Sequence, residues 1–90
     1  MDDEKTPPKA PPSKEVIQNW LQLRIAESIQ ATPEEIDITL PFSYYGLDSV
    51  AAFEIADELE IWLGRKLPQT LPWDYPNIEL LSTFLAEGLT

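Results

Sequence analysis

Gly46-Leu47-Asp48-Ser49-Val50 marks the junction at which an irregular segment gives way to a strongly helical one. Downstream of it, apolar residues recur at Ala52, Ile55, Ala56, Leu59 and Leu63, the three-to-four spacing of a buried helical stripe. The spacing predicts a helix over Ser49 to Leu63, ended by Gly64 as a left-handed cap, with Arg65 and Lys66 beside its negative end. Trp62 falls at the edge of the stripe, between core and surface. Ser49 therefore stands at the positive end of a helix, with free backbone N–H groups around it. The chain contains no His to activate that hydroxyl, and the adjacent Asp48 cannot replace a Ser-His-Asp relay. A serine displayed in this way but not armed reads as an attachment point. A phosphodiester there would lie against a favourable helix end. Asp48 is placed to cap that end or to remain as an exposed charge, and Gly46 admits a positive φ on entry to the turn.

Outward from this junction, the remaining chain reads as helices. Ser13 is a candidate N-cap for a helix running to about Gln30, with Ile17, Trp20/Leu21, Ile25 and Ile29 on its buried side. Thr32-Pro33-Glu34-Glu35 has the form of a capping box but starts only a short turn, because the chain is expected to become extended from Asp37 to Phe42 and Pro41 blocks further helix. Residues 31–47 thus form a long ordered loop, anchored by Ile36, Ile38, Leu40, Phe42 and Leu47. Trp73-Asp74-Tyr75 make at most one helical turn before Pro76. Asn77 caps a last helix whose inward stripe is Ile78, Leu81 and Leu85, flanked by Leu80 or Phe84. No alternating strand pattern of useful length and no repeat emerges. The fold class is all-α: a small four-helix bundle of three long helices and one short one, with a long first loop.

Composition narrows the function. Ninety residues bury one small core, with little room for an enclosed substrate cavity. Net charge is −10, from 16 acidic and 6 basic residues, a balance that disfavours nucleic acid and anionic membranes and favours partners with basic surfaces. No Cys is present, which removes thiolate nucleophiles and thiolate metal sites, and no acidic cluster has calcium-loop spacing. No catalytic residue and no metal ligand is assigned, and the chain does not read as an enzyme. The chain has no apolar run long enough to span a bilayer and no signal-like segment at its start, so a cytoplasmic location is the expectation. Residues 1–13, with Pro7, Pro8, Pro11 and Pro12, are expected to be a flexible tail or linker, and residues 14–90 the folded domain.

The sequence around Ser49 resembles the phosphopantetheine attachment motif of acyl carrier proteins, in which Gly-x-Asp-Ser followed by Leu, Ile or Val opens the second helix. Phe42-Ser43-Tyr44-Tyr45-Gly46-Leu47 resembles the segment before the serine in polyketide-synthase carriers. Leu63-Gly64-Arg65-Lys66-Leu67-Pro68 resembles the end of the family's second helix, and Tyr75-Pro76-Asn77-Ile78 its entry into the last helix. The resemblance covers about residues 15–88. It implies that Ser49, flanked by Gly46, Leu47 and Asp48, receives 4'-phosphopantetheine from coenzyme A through a phosphopantetheinyl transferase. The arm's thiol would carry acyl or polyketide intermediates as thioesters. The implied partners are an acyl-loading enzyme (an acyl-AMP ligase or acyltransferase), a ketosynthase and other synthase domains, in polyketide or lipopeptide biosynthesis.

Partners of the family dock against the second helix. Val50, Glu54, Asp57, Glu58 and Ile61 lie on or beside its outward face, away from Ile55, Leu59 and Leu63. Residues 48–60 hold five acids and no base, where a merely solvated face mixes signs. Trp20, Trp73 and the Tyr44-Tyr45 pair are expected to serve packing. Two rival readings stand beside this one. One is a peptidyl carrier of nonribosomal peptide synthesis, although Leu47 and Asp48 replace the Gly-x usual before its serine. The other is an acidic helical interaction module that is never modified.

Overall fold

The structure is a computed structural model that describes residues 13–68 and 70–88. The tail expected over residues 1–13 lies, except for Ser13, outside the described residues. Helix α1 spans Lys14–Ile29, α2 Ser49–Leu63, α3 Leu71–Asp74 and α4 Ile78–Gly88, and short 3-10 turns occupy Pro33–Glu35 and Phe42–Tyr45. No strand occurs among the described residues.

Helix α1 begins where Ser13 accepts the Val16 N–H at 3.3 Å and ends at Gln30, which adopts a left-handed φ of 60°. Its inward side is Ile17, Trp20, Leu21, Ile25 and Ala26, all buried. Against them pack Leu59 and Trp62 of α2, Leu71 of α3 and Ile78, Leu81 and Leu85 of α4, in one core cluster. Trp62 is thus a core residue: its indole stacks on Trp20 with ring centroids 5.2 Å apart and planes 16° from parallel. Ala52, Ala56 and Leu63, expected on the same stripe, are only half-buried. Ser82 is fully buried on α4 and satisfies its hydroxyl on the Glu79 carbonyl at 3.1 Å.

The first loop departs from the extended path expected over Asp37 to Phe42. The alternation of Ile36, Ile38, Leu40 and Phe42 imitates a strand, but local side chains capture the backbone. The Asp37 carboxylate accepts the Thr39 N–H at 2.9 Å and the Thr39 hydroxyl at 2.6 Å, an Asx-turn arrangement. The Leu40 N–H returns to the Asp37 carbonyl at 3.3 Å. The second 3-10 turn then brings the Tyr45 hydroxyl onto the Asp37 backbone, accepting its N–H at 2.5 Å and donating to its carbonyl at 2.9 Å. Ile36 is buried, and Ile38, Phe42 and Leu47 pack on the core, whereas the expected anchor Leu40 does not join it.

This loop is lashed to the head of α4. The Phe42 N–H donates to the Pro76 carbonyl at 2.9 Å and the Glu79 N–H to the Ile38 carbonyl at 3.0 Å. The Asn77 side-chain amide donates to the Thr39 carbonyl at 3.2 Å, while its oxygen caps α4 by accepting the Leu80 N–H at 2.8 Å. Helix α3 begins two residues before the Trp73 turn expected, with Pro72 inside its first turn and only Leu71 buried.

Two carboxylates stabilise the loop in a pH-dependent way. The Thr32 backbone N–H, with the Thr32 hydroxyl, holds Glu35 below its ordinary value. The Thr39 hydroxyl, with the Thr39 N–H, does the same for Asp37. Because both folded-state values are lowered, the stabilisation is complete above the ordinary carboxylate range of about 4 and is lost as pH falls below it. Thermal melts should therefore hold constant near neutrality and drop on acidification, and Glu35→Gln with Asp37→Asn should flatten that drop. In the core, Trp62→Ala should cost roughly 3–5 kcal/mol, read as a lower urea midpoint.

Candidate functional site at the start of the second helix

The entry to α2 is built in three steps. Gly46 takes φ 76°, its N–H bonded to the Ser43 carbonyl at 3.0 Å, and closes the 3-10 turn. A Cβ there would meet nothing within 4 Å, so the preference for glycine comes from the backbone angle and not from crowding. Half-buried Leu47 then pins the turn to the core. Asp48 is the N-cap: its backbone is extended, its Oδ1 accepts the Ala51 N–H at 2.9 Å and its carbonyl accepts the Ala52 N–H at 2.9 Å. Ser49, the first helical residue, is exposed. Its own N–H and that of Val50 point out of the helix start with no intrahelical acceptor. The hydroxyl thus has solvent access, a nearby partial positive charge and no base.

Ser49 also lines an open groove of about 280 Å³ between the first loop and α3, walled by Phe42, Leu47, Pro72, Trp73 and Pro76. Trp73 is 55% exposed and Tyr44 68% exposed, so both pack at the surface and not in the core, Tyr44 edge-on against Tyr45 with ring centroids 5.2 Å apart. Trp73 rests on Phe53 of α2 with ring centroids 4.9 Å apart. Phe53 is absent from the docking set read from the sequence, although a signal for it exists: it lies three residues after Val50 and four before Asp57, on the outward face.

The acids of α2 are not equivalent. Asp48 caps the helix. Glu58 is paired with Arg24 of α1, which also reaches Glu27 at 3.3 Å. Glu60 accepts the Leu67 N–H at 2.7 Å and so holds the connector after the helix. Glu54 and Asp57 are exposed and carry no hydrogen bond or ion pair among the described residues. Val50 and Ile61, 63% and 76% exposed, complete an outward face in which two uncommitted carboxylates lie among aliphatic side chains. The five residues read from the sequence as a docking set therefore share a surface, but Glu58 is already partnered.

Residues 19–85 match the profile of the phosphopantetheine attachment site family. The chain belongs to this family. Its members are carrier domains, not catalysts, and bear 4'-phosphopantetheine covalently. The chain is 34% identical over 70 residues, 72% of its length, to the mellein synthase of Phaeosphaeria nodorum. It is 41% identical over 68 residues, again 72% of its length, to a phenolphthiocerol/phthiocerol polyketide synthase of Mycobacterium tuberculosis. It spans only 3 to 5% of the length of the curated relatives it matches. Among solved structures, an acyl carrier protein from Anabaena sp. PCC 7120 with a variant phosphopantetheinylation-site sequence superposes with a TM-score of 0.83 at 34% identity, covering 94% of this chain and 97% of that one. A free-standing peptidyl carrier protein from a secondary metabolic pathway of Acinetobacter baumannii gives 0.81 at 33% identity, over 87% and 98%. The four-helix architecture of this carrier domain is thus that of acyl and peptidyl carriers alike. No described helix is long and apolar enough to cross a membrane.

The Asp48 cap generates a direct expectation. Asp48→Ala should lower stability by about 0.5–2 kcal/mol, measured by urea unfolding, while Asp48→Asn, which keeps the accepting oxygen, should lose much less.

Proposed function

We propose that Ser49 is the residue to which phosphopantetheine is attached, and that the domain carries acyl or polyketide intermediates in polyketide or lipopeptide assembly. The observation that carries this reading is the exposed Ser49 hydroxyl at the capped start of α2, within a chain of the attachment-site family. The residues fit the group. Gly46 and Leu47 hold the turn, Asp48 satisfies one amide of the helix end, and the outward amides of Ser49 and Val50 favour a phosphodiester. Attached there, the arm supplies the thiol that this Cys-free chain lacks, and that thiol holds an acyl group as a thioester.

The chain's own work is presentation. Val50 and Ile61 offer an apolar centre, and Glu54 and Asp57 a negative rim, the composition of a transient interface with charge steering. A phosphopantetheinyl transferase, an acyl-loading ligase or acyltransferase, and a ketosynthase would each meet this face. Glu58 contributes less because Arg24 already neutralises it. The likeness to the Acinetobacter baumannii carrier supports a second reading, a peptidyl carrier with an aminoacyl cargo. Leu47 and Asp48 before the serine favour the acyl reading.

Incubation with coenzyme A and a promiscuous transferase should add one phosphopantetheinyl unit to the intact mass, and Ser49→Ala should abolish the addition. An unchanged wild-type mass beside an active control carrier would remove the attachment reading and leave an acidic binding module. For the docking face, Asp57→Lys with Glu54→Lys should slow transfer from partners several-fold at low salt, with the difference shrinking as salt rises. Compared singly, Glu58→Lys should have a smaller effect than Asp57→Lys or Glu54→Lys; equal single-variant effects would refute the lesser role given to Glu58.

A further inference from the structure

Two spaces lie near the start of α2, only the outer of them lined by Ser49, and they differ in what they can hold. The inner one, among Ile55, Leu59, Leu71 and Leu81, is about 20 Å³, room for roughly one water. That inner space has no room to enclose a tethered chain. The outer groove is about 280 Å³, close to the lower end of small-ligand sites at roughly 300 Å³. Its walls are mainly apolar, with Ser43, Asp48 and Ser49 as its polar lining residues. An indole left half uncovered in such a groove gains by being covered. The Phe53 ring lies against Trp73 and supports it from one side, with centroids 4.9 Å apart.

We infer that this outer groove is a resting site for the proximal, methyl-bearing half of the pantetheine arm, with Trp73 as its packing wall and Phe53 as the support that fixes Trp73. The inference rests on Ser49 as the point of attachment. The occupant follows from the lining: Ser49 itself borders the groove together with Phe42 and Trp73, so a group tethered to it starts within the groove. A short tether places its own first segment at millimolar effective concentration. A site of only millimolar intrinsic affinity would then be about half occupied. Such weakness suits a carrier, since a partner enzyme must be able to draw the arm out.

The test uses the modified protein and nuclear magnetic resonance. Mass spectrometry first establishes that one phosphopantetheinyl unit has been added. The geminal methyl signals of the arm should then lie upfield of their positions in free pantetheine, shifted by the indole ring current, and the Trp73 indole N–H signal should move between unmodified and modified protein. The signals of buried Trp20 and Trp62 should stay in place. In modified Trp73→Ala the methyl signals should return to their free positions, while Trp73→Phe should keep part of the shift. Phe53→Ala should weaken it without abolishing it. Because Trp73 is largely exposed, its variants should retain the wild-type circular dichroism spectrum. Identical methyl positions in modified wild type and modified Trp73→Ala would overturn the groove assignment while leaving Ser49 as the attachment residue. Failure of the mass to change would remove both.

Discussion

Backbone hydrogen bonds between the first loop and the head of α4 are the constraint on which the rest of this small domain depends. Residues 31–47 would make an unusually long connection without structure of their own, and their polar backbone groups need partners wherever they lie against the core. Pro76 and Ile38 carbonyls accept from Phe42 and Glu79, and Asn77 reaches Thr39 while capping α4. These bonds fix where Phe42 and Pro76 stand, hence both the shape of the groove and the direction from which the chain enters Gly46. Without them, α2 would still form by its own caps, but its first residue would have no defined surroundings.

Much of the site is legible in the sequence because its signals are local. Asp48 and Gly64 mark the ends of α2 by chemistry that works within four residues: a carboxylate that accepts a helix-start amide, and a glycine that takes the left-handed angle. Ser13 and Asn77 likewise announce α1 and α4. The loop misleads because its alternating aliphatics obey a period of two, while Asp37 and Thr39 close a turn that the alternation conceals. Trp62 can be placed only by its partner, since Trp20 lies far away in sequence and the stack joins two helices. Trp73 reads as packing because an aromatic in a small domain is usually buried. That it faces outward depends on Leu71 filling the available core position first.

Charge tells a similar story. The acid-rich second helix looks uniform in sequence, yet the fold assigns three of its acids internal duties: capping at Asp48, pairing across to α1 at Glu58, and tying down the connector at Glu60. Surface pairs such as Arg24–Glu58 contribute little to stability, about 0–1 kcal/mol. Their larger effect is on the field, because they decide which carboxylates a visitor meets bare.

Helix α3 divides its labour more sharply than any other element. Leu71 alone is driven into the core, and the following Pro72, Trp73 and Asp74 face the groove or the solvent. Anchor and display are thus separate residues on a single turn. Substitution of exposed Trp73 leaves the Leu71 anchor in place, whereas half-buried Pro72 borders the inner space and Asp74 accepts the Thr70 hydroxyl at 3.0 Å. The turn thus separates what holds the domain together from what it shows beside Ser49: a change at Trp73 alters the second without altering the first.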